Sequence, residues 1–363
     1  MEERLGVAGA TSRSPATGGM TEIVAARLSA QALGGPPVAG PVAVCERLLA
    51  VQGQDLRGAR LATRARTQDR TAADVDRALE RRELVVSWVN RGTLHLVRSE
   101  DWPWLHALTT PQLATANARR LMQEGVSPDA ADRAVAVVGR ALAEEGPLVK
   151  ADLVAHLERA GVPAAGQAFV HVILRATIRG LVVRGPATGR EQAFVLVRDW
   201  LGELPVLDRD SARAELARRY LRGHGPATVR DLAAWAGITL GDARRGLAGV
   251  DVDELRDGLV DLRGRSPAAP LPGPRLLGPF DPLLHGWARR DWILHDPGHV
   301  VTSNGIFRPS ILVDGRIVGT WTAAGELRPF TPLDERTTEA LTEDLAAVRR
   351  FLGPAPSRSR TRQ

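Results

Sequence analysis

Apolar positions along the chain follow two rhythms, and the places where one gives way to the other order its elements. A helical rhythm starts near Thr21, runs through Ile23, Val24, Leu28 and Gln31, and stops at Gly34-Gly35-Pro36. A second helix is expected over Pro41 to Val51, with Val44, Leu48 and Val51 on one face and Pro41 in its first turn. Thr71-Ala-Ala-Asp74 reads as the cap of a third, with Val75, Ala78 and Leu79 inward. Two strand-like runs then follow, Leu84–Trp88 and Gly92–Val97, joined by Asn90-Arg91, which predict a two-stranded ribbon. Three helices and a ribbon are the order of a winged helix-turn-helix. Further helices around Trp102, Trp104 and Leu105, and then Leu113, lead toward Gly125.

The same order returns. Helices are predicted over Ala134–Ala143, Lys150–Ala160 and Gln167–Gly180, followed by strands at Leu181-Val-Val and Ala193–Val197. Gly185-Pro-Ala-Thr-Gly-Arg190 lies between these strands as a wing. A third copy starts at Asp208. Gly225-Pro226, Asp231 and Leu232 match Gly146-Pro147, Asp152 and Leu153 at identical spacing, and Ala236-Gly237 matches Ala160-Gly161. Repetition on that scale argues for tandem units over one large core.

Beyond a Pro-rich stretch at 263–275 the pattern becomes strands: His299–Thr302, Ser310–Val313 and Arg316–Thr322, with Asp314-Gly315 as a tight hairpin turn. The expected fold class is therefore α+β, mainly α. It comprises three tandem winged helix-turn-helix modules (21–125, 126–207, 208–262), a linker (263–275) and a small antiparallel β domain with a terminal helix (276–352). Residues 1–20 read as a disordered leader and 353–363 as a disordered basic tail.

Composition narrows the partner. The formal net charge is +6, and Lys150 is the only lysine, so the rest of the basic side chains are arginine forks suited to phosphate and guanine edges. Arginines spread over several segments favour a polyanion. On the predicted helix Gln167–Gly180, His171, Arg175 and Arg179 fall on the face away from the core, and with Arg190 on the wing they form the expected DNA-binding set. Cys45, the only cysteine, has no disulfide partner within the chain and no zinc-ligand spacing exists. His295 and His299 are four apart, but Pro297-Gly298 rules out a helix presenting both. No metal or other cofactor is expected. Without an apolar leader or bilayer-length segment, the expected setting is cytoplasmic, with no membrane partner.

Known catalytic signatures such as phosphate loops, nucleophile elbows and metalloprotease helices are missing. What stands out is Gln52-Gly53-Gln54-Asp55, two amides two residues apart where a helix gives way to a loop. On an extended segment such side chains point the same way, so both amides can enter one cleft. Arg91 and His95 on the following ribbon, and Asp55, are the auxiliary candidates.

These residues, with Arg27-Leu28…Gln31, Val51-Gln52-Gly53-Gln54-Asp55, Arg91-Gly-Thr-Leu-His95, Phe280-Asp281-Pro-Leu-Leu284 and Val313-Asp-Gly-Arg-Ile-Val-Gly-Thr-Trp321, resemble one bacterial family over residues 21–352. It is the family of tandem winged-helix DNA glycosylases typified by the azinomycin-resistance interstrand-crosslink glycosylase. The resemblance implies three winged helices, a barrel-like C-terminal β domain, and a Gln-aliphatic-Gln catalytic motif carried here by Gln52 and Gln54, the double-glutamine branch. Gly53 departs from the aliphatic middle residue. The implied activity is hydrolysis of the glycosidic bond of N7-alkylguanine in double-stranded DNA, crosslinks included, by a monomer serving repair or resistance to a genotoxin. The competing reading is a winged-helix transcriptional regulator without enzymatic activity. No aromatic base-stacking cluster is visible near Gln52 in the sequence, from which a lesion left inside the duplex is expected.

Overall fold

A computed structural model describes residues 15–188, 191–203 and 207–353. The first unit runs α1 (Pro15–Ala30), α2 (Pro41–Leu48), β1 (Val51–Gln52), α3 (Leu56–Arg64), α4 (Ala72–Glu80), β2 (Leu84–Val89) and β3 (Thr93–Arg98). Helices α5 (Trp102–Thr109) and α6 (Ala114–Gln123) connect it to the second, which holds α7 (Pro128–Glu145), α8 (Lys150–Arg159), α9 (Gln167–Ile178), β4 (Val182–Thr188), β5 (Glu191–Leu196) and α10 (Val197–Trp200). The third contains α11 (Arg209–His224), α12 (Val229–Ala236), α13 (Leu240–Ala248), β6 (Val252–Glu254) and β7 (Val260–Leu262). Strands β8 (Arg275–Leu277), β9 (Ser310–Val313), β10 (Arg316–Trp321) and β11 (Leu327–Pro329) follow, with α14 (Glu335–Leu352).

The repetition is structural as well as textual. In each unit a short extended piece after a helix pairs antiparallel with the second hairpin strand: Val51 with Leu96, Leu148 with Phe194, and Ala227 with Val260. The repeated aspartates do the same job, since Asp152 accepts from the Val149 N–H (3.4 Å) and Asp231 from the Thr228 N–H (2.9 Å) at the helix starts. The units differ at one point. Leu148 and Ala227 are followed directly by the cap residue of the next helix, Val149 and Thr228, whereas Gln52, Gly53 and Gln54 stand between the paired Val51 and the cap Asp55.

The first two hairpins join into one antiparallel sheet of order β1-β3-β2-β4-β5, through the pairing of Val86 with Arg184. Arg184 lies 5.2 Å from the ring centres of both Trp88 and Phe194, and burial lowers its guanidinium to about 10. The C-terminal strands form an open antiparallel sheet of order β11-β10-β9-β8, with edges rather than the closure of a barrel. Its hairpin turns on Asp314 and Gly315, both at positive φ (48° and 77°), as the Asp-Gly signal requires.

Several expectations shift. Helix α1 begins at Pro15, so the last part of the expected leader is helical, and residues 1–14 lie outside the described residues with the tail beyond Gly353. Helix α2 stops at Leu48, and Leu49 adopts φ 65°. Helix α3 was not expected, because Gly58 interrupts its pattern. That glycine is needed where it is: a Cβ there would lie 2.5 Å from the Pro279 carbonyl oxygen. His299–Thr302 forms a 3-10 turn (Pro297–His299) and a single bridge from Val301 to Phe307, since Pro297 and Gly298 break the strand.

One buried ion pair crosses these units. Arg66 bonds Asp281 through both oxygens at 2.8 and 2.9 Å, and both side chains are fully buried. It also donates to Gln31 O (2.8 Å), Gln31 Oε1 (3.0 Å) and Ala62 O (2.9 Å), so all five guanidinium N–H groups are used. Gln31 Nε2 in turn reaches Gly223 O on α11 at 2.7 Å. Asp281→Ala would strand the buried cation, and the expected loss of unfolding free energy is about 3–5 kcal/mol, read by urea titration. A loss under about 1 kcal/mol, the range of exposed pairs, would refute this role.

Candidate active site

The site starts from the way α2 ends. With Leu49 at positive φ the chain turns sharply and enters β1 extended, and both Val51 and Gln52 are buried. Residues paired across antiparallel strands share a face. Gln52 pairs with His95, and His95 with Ser87 on β2, so these three face one side while Val51, Leu96 and Val86 face the other.

Gly53 continues along β3, donating its N–H to Leu94 O at 2.7 Å. A Cβ at this position would sit 3.1 Å from the Leu96 nitrogen and 3.3 Å from the His95 carbonyl carbon, so glycine lets β1 press closely on β3. Gln54 is exposed, and its N–H donates to Gln52 Oε1 at 3.2 Å. The two glutamines are thus tied together, but one is sealed into the sheet and the other meets solvent. Asp55 caps α3, accepting from the Arg57 N–H at 2.9 Å.

His95 is buried, and its Nδ1 lies 2.9 Å from Thr93 O. Only a protonated Nδ1 can donate to a carbonyl, which assigns the lone pair to Nε2. Burial lowers its pKa to about 4; the Thr93 bond opposes this and the Arg91 charge adds to it. Arg91, at the β2–β3 turn, is accessible yet partly desolvated, and burial followed by repulsion from Arg290 lowers its guanidinium.

Arg290 brings in a second set of groups that sequence spacing did not pick out. His285 and Phe307 rings are 4.0 Å apart, Phe280 lies 6.0 Å from each, and the Arg290 Cζ is 5.1 Å from the Phe307 centre. His285 is held well below its ordinary pKa by burial, then by Arg91, Arg290 and His95. The apolar core that holds Phe307, with Phe280 packed on it, also holds Val85, Val89 and Val97, which share a face of β2 and β3 with Ser87 and His95. Only the Phe280-Asp281 motif signalled this region in the sequence, and its buried Asp281 belongs to the Arg66 ion pair. Thr93 Oγ1 and His285 Nε2 are buried with no hydrogen-bond partner.

The expected DNA-binding set lies elsewhere. His171 is half-buried against α6, where the Asn117 amide donates to its carbonyl at 3.0 Å. Arg175 and Arg179 both bind Asp132 of α7, at 2.5 and 2.6 Å, and hold its carboxyl below its usual value. Arg190 lies outside the described residues. Among the described residues no helix is long and apolar enough to cross a membrane.

A helix–strand–helix junction carrying paired amides, set in repeated helix-and-hairpin units, is the setting in which comparison with known proteins becomes informative. The chain belongs to the DNA glycosylase AlkZ-like family, whose pattern matches residues 45–351. It is 29% identical over 349 residues, covering 85% of this chain and 90% of the relative, to an interstrand DNA cross-link repair glycosylase of Streptomyces sahachiroi. The solved structure of Streptomyces sahachiroi DNA glycosylase AlkZ shares the fold, with a TM-score of 0.72 and 24% identity, over 91% of this chain and 96% of that one.

The imidazole of His95 predicts a pH dependence of stability. Its folded pKa of about 4 is below the unfolded value near 6.5, so the unfolded chain binds the extra proton between them. The neutral ring's contribution is complete above pH 6.5 and is lost as pH falls toward 4. His95→Gln should flatten the stability profile in that window by up to ~1.4 kcal/mol per pH unit, measured by denaturant unfolding. An unchanged slope would mean that His95 titrates normally.

Proposed function

We propose that this chain is a monofunctional DNA glycosylase that hydrolyses the glycosidic bond of N7-alkylguanine, interstrand crosslinks included, acting as a cytoplasmic monomer on double-stranded DNA. In this reading the three helix-and-hairpin units are tandem winged helices, and internal repetition replaces the dimer that a regulator of this class uses. The relative's role in crosslink repair supports the lesion class, in repair or genotoxin resistance.

The observation that carries the reading is the Gln52–Gln54 pair, inserted where the other two units have no such residues and coupled by the Gln54 N–H to Gln52 Oε1 bond. Glutamine does not titrate near neutral pH and is a poor general base. N7-alkylguanine is already a cation and leaves without prior protonation, while the sugar becomes oxocarbenium-like. The electron pair of the C1′–N9 bond passes to the base, water adds to C1′, and a proton returns to solvent. The protein has to orient the water and stabilise positive charge at the sugar, and fixed amide dipoles supply both. Gln52, buried and held by β3, is the rigid member of the pair, and Gln54 is the accessible one.

Arg91 and His95 complete the proposed site: Arg91 as an accessible cation for a phosphate, and His95 as a neutral ring beside Gln52. Asp55 serves by starting α3 and so fixing the end of the Gln54 loop.

The test uses duplex DNA bearing a nitrogen-mustard N7-guanine adduct, with alkali-labile breaks read on a denaturing gel. Breaks at the modified guanine are expected with the wild type. In the Gln52→Ala/Gln54→Ala double variant they should fall roughly 10²–10³-fold while duplex binding persists. Binding and rate lost together would make the pair structural. Binding without breaks by the wild type, on both the adduct and a crosslinked duplex, would instead favour the regulator.

A further inference from the structure

The second unit's α9 stands where a winged helix would present its reading helix, yet its outward face is already occupied. Asn117 of α6 contacts His171 through both its carbonyl and its ring nitrogen, at 3.0 and 3.4 Å. Farther along the same face, Arg175 and Arg179 are drawn onto Asp132. The first unit's α4 is similarly committed, since it packs against β4 of the second unit. Faces used for packing between units are not free for a duplex.

Helix α6, which covers α9, has the opposite character. Asn117 and Leu121 are its buried residues, while Thr115, Ala116, Arg119 and Arg120 are exposed. Thr115 and Arg119 are one turn apart, so a hydroxyl and a guanidinium lie along one side of the helix. Arg120 is loosely engaged with Gln123 (2.8 Å) and Glu124 (3.6 Å), whereas no ion pair or hydrogen bond of Arg119 is found among the described residues. Small and hydroxyl side chains around the unpartnered Arg119 guanidinium, with Arg120 held only by neighbours on its own helix, suit the close approach of a phosphate backbone.

The start of α6 is also fixed beside the candidate active site. Leu113 lies against Gly92 in the turn that carries Arg91, where an added Cβ would come within 3.0 Å of it. Gln112 Nε2 donates to Gly237 O at 3.0 Å, and Gly237 itself packs on the Arg91 backbone. A helix anchored at that turn and running to α9 extends the active-site surface toward the second unit.

We propose that α6, through Arg119 and Arg120, is the surface by which the second unit engages the phosphate backbone of duplex DNA, in place of α9. The proposal rests on the reading that double-stranded DNA is the partner. Neutralised phosphates release counterions, so each contact contributes about 0.9 to the slope of log affinity against log salt.

The measurement is fluorescence anisotropy of the full chain with an undamaged, labelled duplex across a salt series. The Arg119→Ala/Arg120→Ala variant is expected to bind more weakly and to lose nearly 2 from the slope. Arg175→Ala/Arg179→Ala should retain the wild-type slope, and Arg119→Lys/Arg120→Lys should restore most of what the first variant loses. Thermal melts matched to the wild type exclude misfolding of α6 as the cause. A wild-type slope for the α6 alanine variant would overturn the proposal, as would loss of slope confined to the α9 variant. Because the assay reads binding, a wild type that binds but releases no base would count against the glycosylase reading and leave this proposal standing.

Discussion

The Arg66 guanidinium is the point on which the arrangement depends. Its five donors are distributed among the end of α1, the carbonyl of Ala62 on α3 and the carboxylate of Asp281, more than two hundred residues away in sequence. A fully buried charge survives only when its desolvation is offset by complete hydrogen bonding, and this one is completely bonded. The consequence reaches the active site. Asp281 holds the loop that starts at Gly278, and that loop packs on α3 at Gly58 and Leu61. Helix α3 begins at Asp55, immediately after Gln54. The C-terminal region therefore sets the position of the glutamine loop through its packing on α3.

That arrangement explains how a repeated unit can acquire a site. In the second and third units the short paired segment passes straight into the next helix. The first unit adds Gln52, Gly53 and Gln54 at the same junction without disturbing either neighbour, because β1 still pairs with β3 and Asp55 still caps α3. Glycine suits the close approach of the strands here: a Cβ at 53 would sit 3.1 Å from the Leu96 nitrogen and 3.3 Å from the His95 carbonyl carbon, and the backbone would have to ease by a few tenths of an ångström. The close approach in turn leaves Gln52 buried, with its amide oxygen turned back on the Gln54 N–H.

Much of the helical order was legible, because it rests on local signals: the Thr71/Asp74 cap, the strand-like runs of β2 and β3, the Asp-Gly hairpin and the repeated Gly-Pro…Asp-Leu. The glutamine pair stood out for the same reason, as an unusual spacing at a helix end. What escaped was set by distant contacts. Helix α3 contradicts its own glycine because Pro279 needs the space. The strand expected at 299–302 is a turn because Pro297 and Gly298 outweigh the valines beside them. Arg175 and Arg179 looked free on a helical wheel, but Asp132 on another helix engages both. His285, Phe307 and Arg290 could not be joined to the first unit from spacing, since the fold alone puts Phe307 in one core with Val85, Val89 and Val97.

The use of amides in place of carboxylates follows from the charges around them. At three places this molecule pairs an acid with a buried or half-buried arginine: Asp281 with Arg66, Asp101 with Arg219, and Asp344 with Arg64. Burial and then the Arg290 charge lower Arg91, burial lowers Arg290, and burial with the Arg91 charge keeps His95 and His285 neutral. A carboxylate at position 52 would meet the same field, and pairing with Arg91 would compete with any task at a sugar. A glutamine keeps an oxygen dipole without a net charge for an arginine to capture. It gives up proton acceptance, which a base that leaves as a cation does not require. On the proposed chemistry, the neutrality of Gln52 leaves its amide oxygen, which accepts from the Gln54 N–H, uncaptured by an arginine in a cationic site.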